Sequence, residues 1–168
     1  DLPELNLDDQ TISEHLVKVA PEGDIVEQKG NLEEGKKLSS ALFEQTYLTP
    51  YVAHAPLEPH TAVAKVEANK ATVWASTQRP FGVQDEIAQV LGIPVENVRV
   101  INPYVGGGFG GKNRNLQAVE AARLAQLAGK PVQVAWSRGD EFFFDTFRPA
   151  AVIKIKSGID KDGKIVFW

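Results

Sequence analysis

The 168-residue chain contains no cysteine, which excludes disulfides, thiolate zinc centres and iron–sulfur ligation by its own side chains. It has no apolar run near the roughly 18 residues needed to cross a bilayer, so no membrane span is expected. Its acidic opening, "DLPELNLDDQ", has neither the basic flank nor the apolar stretch of a signal peptide. A strong excess of one charge is also missing. The formal net charge is −4, with ten acidic and four basic side chains in residues 1–40 against twelve and fourteen in residues 41–168. Nothing there makes the footprint of a nucleic-acid-binding surface, and no nucleic-acid partner is expected. There is no internal repeat and no low-complexity tract.

The hydrophobic content of 43% suffices for one core. Residues 1–40, with "PEGD", "KGN" and "EEGKK" as turn signals, read as an acidic irregular lead-in with one short helix. Residues 41–168 read as a single α/β domain. "FEQTYL" and "AVAKVEA" alternate as strands do, and "NK" at 69–70 is a plausible turn into "ATVWAST". Val83, Ile87, Val90 and Leu91 then share one helical face, closed by Gly92 and Pro94. "NVRVI" is a strand, and a helix from about Asn113 to Ala128 carries an apolar stripe of Leu116, Val119, Arg123, Leu124 and Leu127. "VQVAW" is a strand, "RGDEFFF" a short helix or turn, and "AAVIKIKSG" and "KIVFW" a hairpin around "DKDG". The fold class expected is α+β (mixed α/β), a two-layer mixed sheet with two main helices. Trp168 stands inside an apparent strand, the ending expected of a piece of a longer chain.

"VGGGFGGKN" at 105–113 surrounds one phenylalanine with five glycines. Each glycine costs roughly 0.5–1 kcal/mol against alanine inside a regular element, so the stretch gives up local stability for something. Gly106, Gly108 and Gly111 satisfy a dinucleotide fingerprint, but the strand that should end in a ribose-binding carboxylate ends in Trp136 and Ser137. Gly106 to Lys112 also opens like a nucleotide-triphosphatase loop, yet Asn113 replaces the hydroxyl that would hold magnesium. A ligand-free turn is the plain alternative. All these readings share amides freed at a strand-to-helix junction, a site suited to negative oxygen, with Lys112 and Arg114 close by and Phe109 as an apolar wall.

Three ordered stretches, "AHAPLEPH", "STQ" and "GGGFGGK", followed by "GKPVQVAWSRGDEF", together resemble the molybdenum-cofactor-binding subunit of the xanthine dehydrogenase and aldehyde oxidase family of molybdenum hydroxylases. The likeness covers about residues 40–168 and is nearest to the split bacterial subunits of the isoquinoline 1-oxidoreductase and aldehyde-oxidising types. It implies part of a molybdopterin-binding domain in a larger subunit that hydroxylates an aldehyde or N-heterocycle, with water as the oxygen source. It implies a molybdenum-molybdopterin cofactor, expected in a dinucleotide form, and iron–sulfur and flavin partners that carry electrons away. Gln78 matches the glutamine that hydrogen-bonds near the molybdenum centre, and Phe109 the aromatic that orients substrate. Gly107, Gly108, Phe109, Gly110 and Gly111, with Gln78, are the cofactor-binding residues implied. Asn113 replaces the glutamate that contacts purine in xanthine-type loops, which argues against purine specificity. The family's glutamate base lies towards the C-terminus of a much longer subunit, beyond this chain.

Other candidates are weaker. His54, Glu58 and His60 in "HAPLEPH" resemble metal ligands, but Pro56 and Pro59 forbid a helix that would gather them on one face, and no metal site is expected. "DKDG" lacks the remaining ligands of a calcium loop and reads as a turn. Phe142, Phe143, Phe144 and Phe147 read as core or inter-domain packing, with a sticky patch as the alternative if they are exposed. A charge at a helix terminus is worth about 0.3–1 kcal/mol, whereas nanomolar retention needs about 12. The isolated chain is therefore expected to fold but to hold no cofactor and to have no turnover, the remainder of the subunit supplying the other walls. The competing reading is a non-catalytic interaction domain whose glycine loop is only a turn.

Overall fold

A computed structural model describes residues 7–168, so the first six residues of the acidic lead-in lie outside the described residues. The elements in chain order are α1 (Ile12–Val19), α2 (Leu32–Leu38), β1 (Ala41–Thr49), β2 (Val52–Ala53), β3 (Thr61–Glu67), β4 (Lys70–Ala75) and α3 (Pro80–Leu91). They continue with β5 (Val98–Ile101), α4 (Leu116–Ala128), β6 (Val132–Ala135), α5 (Arg138–Phe144), β7 (Phe147–Arg148), β8 (Ala151–Ile159) and β9 (Ile165–Phe167). The class is α+β, with mixed sheets. The chain divides into two compact units, Asp1–Val52 with Pro149–Trp168, and Ala53–Arg148. The stretch 41–168 that the sequence reads as one domain is thus shared between them.

In the first unit, β1 pairs antiparallel with β8 from Ala41 opposite Ile159 to Thr49 opposite Ala151, and β9 pairs with β8 beyond a bulge at Gly158/Ile159. The expected hairpin around "DKDG" forms, and Asp160 spends its carboxylate on the amides of Asp162 and Lys164. Two helices form in the lead-in where one was expected. The second is capped by Asn31, whose side chain accepts from the amides of Glu33 and Glu34, a local signal hidden among turn residues.

The core lies in the second unit. Its four-stranded sheet has the order β5-β4-β3-β6, with β4 and β5 parallel and the other pairs antiparallel. The β3–β4 loop is Ala68–Asn69, one residue earlier than the sequence suggests, with Ala68 at φ 50°. Ala62 and Ala64 of β3 and Ala71, Val73 and Ala75 of β4 alternate on the buried face, where they meet Val83, Ile87, Ala88 and Leu91 of α3. Helix α3 ends as expected at Gly92, in the left-handed conformation.

Helix α4 turns the other way from its expected stripe. Its buried side chains are Gln117, Ala118, Ala121, Ala122 and Ala125, whereas Leu116, Leu124 and Leu127 are exposed. Four alanines against alanine-rich strands let the helix axis approach the sheet closely, and leucines there would hold it off. The exposed leucines line an apolar groove of about 580 Å³ with Val119, Trp136 and Phe144. The phenylalanines are likewise not core within this unit, since Phe142, Phe143, Phe144 and Phe147 are all at least 39% exposed.

Candidate functional site

Strand β4 runs into "STQ", with Ser76 and Thr77 buried and Gln78 exposed at the end. Parallel β5 ends beside it and releases the chain into the glycine loop, which closes in a 3₁₀ turn at Gly111–Asn113 just before α4. Main-chain and side-chain hydrogen bonds tie the two segments. Gln78 N–H donates to the Lys112 carbonyl at 2.9 Å, as does the Thr77 hydroxyl at 3.3 Å. Gly110 N–H donates to Gln78 Oε1 at 3.0 Å. Two residues 32 positions apart in sequence therefore meet at one end of the sheet.

The glycines have two separate reasons. Gly107 and Gly110 sit at φ 90° and 107°, conformations that a side chain opposes. Gly106, Gly108 and Gly111 have neighbours where a Cβ would go: at Gly106 it would lie 2.7 Å from Glu58 Cβ, at Gly111 2.6 Å from Asp145 Oδ2, and at Gly108 it would strike Gln78 Oε1. Phe109, between them, takes φ 53° and leaves its ring 74% exposed. A bulky residue in the left-handed region costs roughly 1–3 kcal/mol, and such strain concentrates at ligand sites.

Within the loop, Gly106 N–H is taken by Glu58, Gly110 N–H by Gln78 and Gly111 N–H by the Gly108 carbonyl at 2.8 Å. The consecutive amides of Gly107, Gly108 and Phe109 donate to no protein acceptor among the described residues. Beside them, Gln78 keeps its Nε2 donors, because its only bond is made through Oε1. The loop therefore combines unclaimed main-chain and amide donors, at buried Gly108, half-buried Gly107 and exposed Phe109 and Gln78, with an exposed aromatic ring.

The 54–60 segment behind this loop is stapled by α5 and the residues after it. His54 Nδ1 donates to the Thr146 carbonyl at 2.8 Å, and Arg138 donates to the carbonyls of Pro56 and Leu57. His60 donates both its main-chain N–H and its Nδ1 proton, the latter at 2.7 Å, to Glu141, and both side chains are 1% exposed. His54, Glu58 and His60 thus face three different partners and do not converge. His60, Glu141 and Asp145 do bring one ligand atom each within 4.8 Å, but the His60–Glu141 bond and Arg138 Nη1 at 3.9 Å from Glu141 Oε2 make this group a buried staple. Such a pairing is what makes a buried carboxylate tolerable.

Both nucleotide readings fail on geometry. A dinucleotide unit needs adjacent parallel strands around its helix, whereas β5 and β6, on either side of α4, occupy opposite edges of the sheet. Lys112, which a triphosphatase loop would extend towards phosphate, is fully buried with Nζ 3.3 Å from Glu58 Oε2. It is therefore not the free cation beside the cradle that the sequence suggested. His54 and Glu58, which the sequence offered only as metal ligands, lie with Asp145 against the loop, and Asp145 had no signal in the sequence.

Residues 17–168 match the family model of the molybdopterin cofactor-binding domain. The chain belongs to this domain family, within the molybdenum-binding subunits of xanthine dehydrogenases and aldehyde oxidases. It is 41% identical over 123 residues to the aldehyde oxidoreductase molybdenum-binding subunit PaoC of Escherichia coli K12, covering 73% of this chain and 17% of that one. It is 32% identical over 171 residues to the putative xanthine dehydrogenase molybdenum-binding subunit XdhA of the same strain, covering 98% and 23%. The crystal structure of quinoline 2-oxidoreductase from Pseudomonas putida 86 superposes with a TM-score of 0.72 at 26% identity, over 80% of this chain and 18% of that one. The chain thus spans about a fifth of the length of these relatives.

The cradle fits the anionic, oxygen-rich cofactor that this family name implies. Its three unclaimed amides and the Gln78 amide are all donors, which suit oxo, carbonyl and phosphate oxygens. A Cβ at Gly108 would displace Gln78 from this arrangement. The surface is open on the side of Phe109 and of the fully exposed Tyr104.

Proposed function

We propose that this chain is the cofactor-cradling part of a subunit that hydroxylates an aldehyde or an aromatic N-heterocycle, with water as the source of oxygen. The observation that carries the reading is the row of unclaimed main-chain donors at Gly107, Gly108 and Phe109 beside the Gln78 side chain. The cofactor is a molybdenum-molybdopterin in a dinucleotide form, whose phosphate oxygens suit main-chain donors of this kind. When bound, it accepts two electrons from the substrate carbon and promotes transfer of a water-derived oxygen.

The chain's own residues bind and orient. Gly107, Gly108 and Phe109 would hold the cofactor through their amides, Gly110 and Gly111 would shape the cradle around it, and Gln78, fixed through Oε1 by Gly110, would offer it the Nε2 donors. The Phe109 ring gives an aromatic substrate a flat apolar wall. Asn113 carries no charge with which to select a purine. The remainder of the subunit supplies the opposite wall and the base, and iron–sulfur and flavin partners remove the electrons. The isolated chain folds without cofactor and without turnover, because a few amides fall far short of the roughly 12 kcal/mol that nanomolar retention requires.

The full-length subunit, expressed with its electron-transfer partners, tests this. Metal analysis is expected to find one molybdenum per subunit, and turnover of benzaldehyde or quinoline in ¹⁸O-labelled water to place the label in the product. A subunit that carries no molybdenum, or product oxygen that comes from dioxygen, contradicts the proposal.

A further inference from the structure

Resting on that reading, we infer that the Glu58–Lys112 pair is a positioning device that fixes the shape of the cradle. One carboxylate oxygen, Glu58 Oε2, accepts the N–H of Gly106 and lies 3.3 Å from Lys112 Nζ, so it holds both ends of the glycine loop. Lysine is almost never fully buried unless paired, yet Lys112 is 0% exposed and Nζ has no hydrogen-bond partner; the Glu58 carboxylate, 32% exposed, lies against it. The main chain of the same lysine receives the Gln78 amide and the Thr77 hydroxyl at its carbonyl. Lys112 is therefore the node at which the 54–60 segment, the "STQ" end of β4 and the glycine loop meet.

The strut behind Glu58 is rigid. Pro56 and Leu57 before it are held through their carbonyls by Arg138, and His60 after it is held twice by buried Glu141. Glu58 can thus transmit the position of this segment to Gly106 and Lys112. The loop between them keeps its strained, exposed Phe109 and its unclaimed amides. Releasing either end loosens the loop: the amides of Gly106, Gly110 and Gly111 lose their partners for part of the time, and Phe109 leaves the left-handed region. Neither Glu58 nor Lys112 needs to touch substrate or cofactor for this.

Glu58→Gln and Lys112→Met in the full-length subunit test the device, each keeping the side-chain volume while removing one charge. Amide hydrogen exchange in cofactor-free protein is expected to speed up about tenfold or more in the peptide spanning 103–116, with the peptides of β3 and α3 unchanged. In loaded protein the same variants are expected to lose about tenfold in kcat with KM within about twofold. The Glu58→Gln/Lys112→Met double variant is expected to lose no more than either single one, as members of one clamp would. Because Glu58 is partly exposed, Glu58→Gln decides the matter even if Lys112→Met does not fold. Unchanged exchange at 103–116 in Glu58→Gln overturns the inference. Since exchange is read without cofactor, a wild-type subunit that lacks molybdenum overturns the functional reading alone.

Discussion

Gln78 Oε1 accepts the N–H of Gly110 at 3.0 Å, joining the end of strand β4 to the apex of a loop that follows strand β5. A single exposed glutamine thereby holds the loop through its oxygen, and its Nε2 donors have no protein partner among the described residues. Replacing Gln78 with Ala removes one solvent-accessible hydrogen bond, worth about 0.5–1.5 kcal/mol. In the full-length subunit, turnover is expected to fall about tenfold or more while the melting temperature moves by a few degrees. Steady-state kinetics beside a thermal scan checks it; full activity in a folded variant removes Gln78 from the site.

Gly110 and Gly129 both sit at positive φ, 107° and 61°, but only Gly110 lies in the cradle. Alanine at either position is expected to cost about 1 kcal/mol of stability from backbone strain. Gly110→Ala should also lower molybdenum content or turnover, and Gly129→Ala should leave both at wild-type levels. Denaturant unfolding with metal analysis of the two variants distinguishes local function from shared strain.

The α5 cap has a pH signature. The Ser137 hydroxyl and amide donate to Asp140 at 2.7 and 2.8 Å and hold its carboxyl below the ordinary aspartate range. Because the folded value is lowered, the stabilisation is present above the ordinary aspartate range and is lost as the pH falls through the lowered value. Ser137→Ala is expected to return Asp140 upward and to weaken the cap, which a carboxyl-carbon NMR titration reads. An unmoved Asp140 contradicts the assignment.

The buried face of α4 is the alanine face. Ala121→Leu is expected to destabilise by about 1–3 kcal/mol through overpacking, whereas Leu127→Ala, at an 80% exposed position, stays within about 0.5 kcal/mol. Equilibrium unfolding of the two variants gives the order directly. A larger loss at Leu127 restores the leucine stripe as the packing face.

Alternation in "AVAKVEA", the Gly92 stop and the hairpin around Asp160 were readable because each follows from local chemistry. The face of α4 was not, because hydrophobicity ranks leucine above alanine while close packing on a sheet selects the smaller residue. The glycine loop stood out by its composition, and Gln78 through its place before a helix and the resemblance to the family. Glu58 and Lys112 did not emerge as a pair, because their meeting depends on a sheet that brings residues 54 positions apart together. Charge on Lys112 suggested an exposed cation, and only burial revealed a strut.

The central claim is that the amides at Gly107, Gly108 and Phe109 are kept free for the cofactor. Amide hydrogen exchange over 103–116, compared between molybdenum-loaded and cofactor-free full-length subunit, measures this most directly. Slowing of exchange at these three amides on loading is the predicted result; identical exchange in the two forms contradicts it.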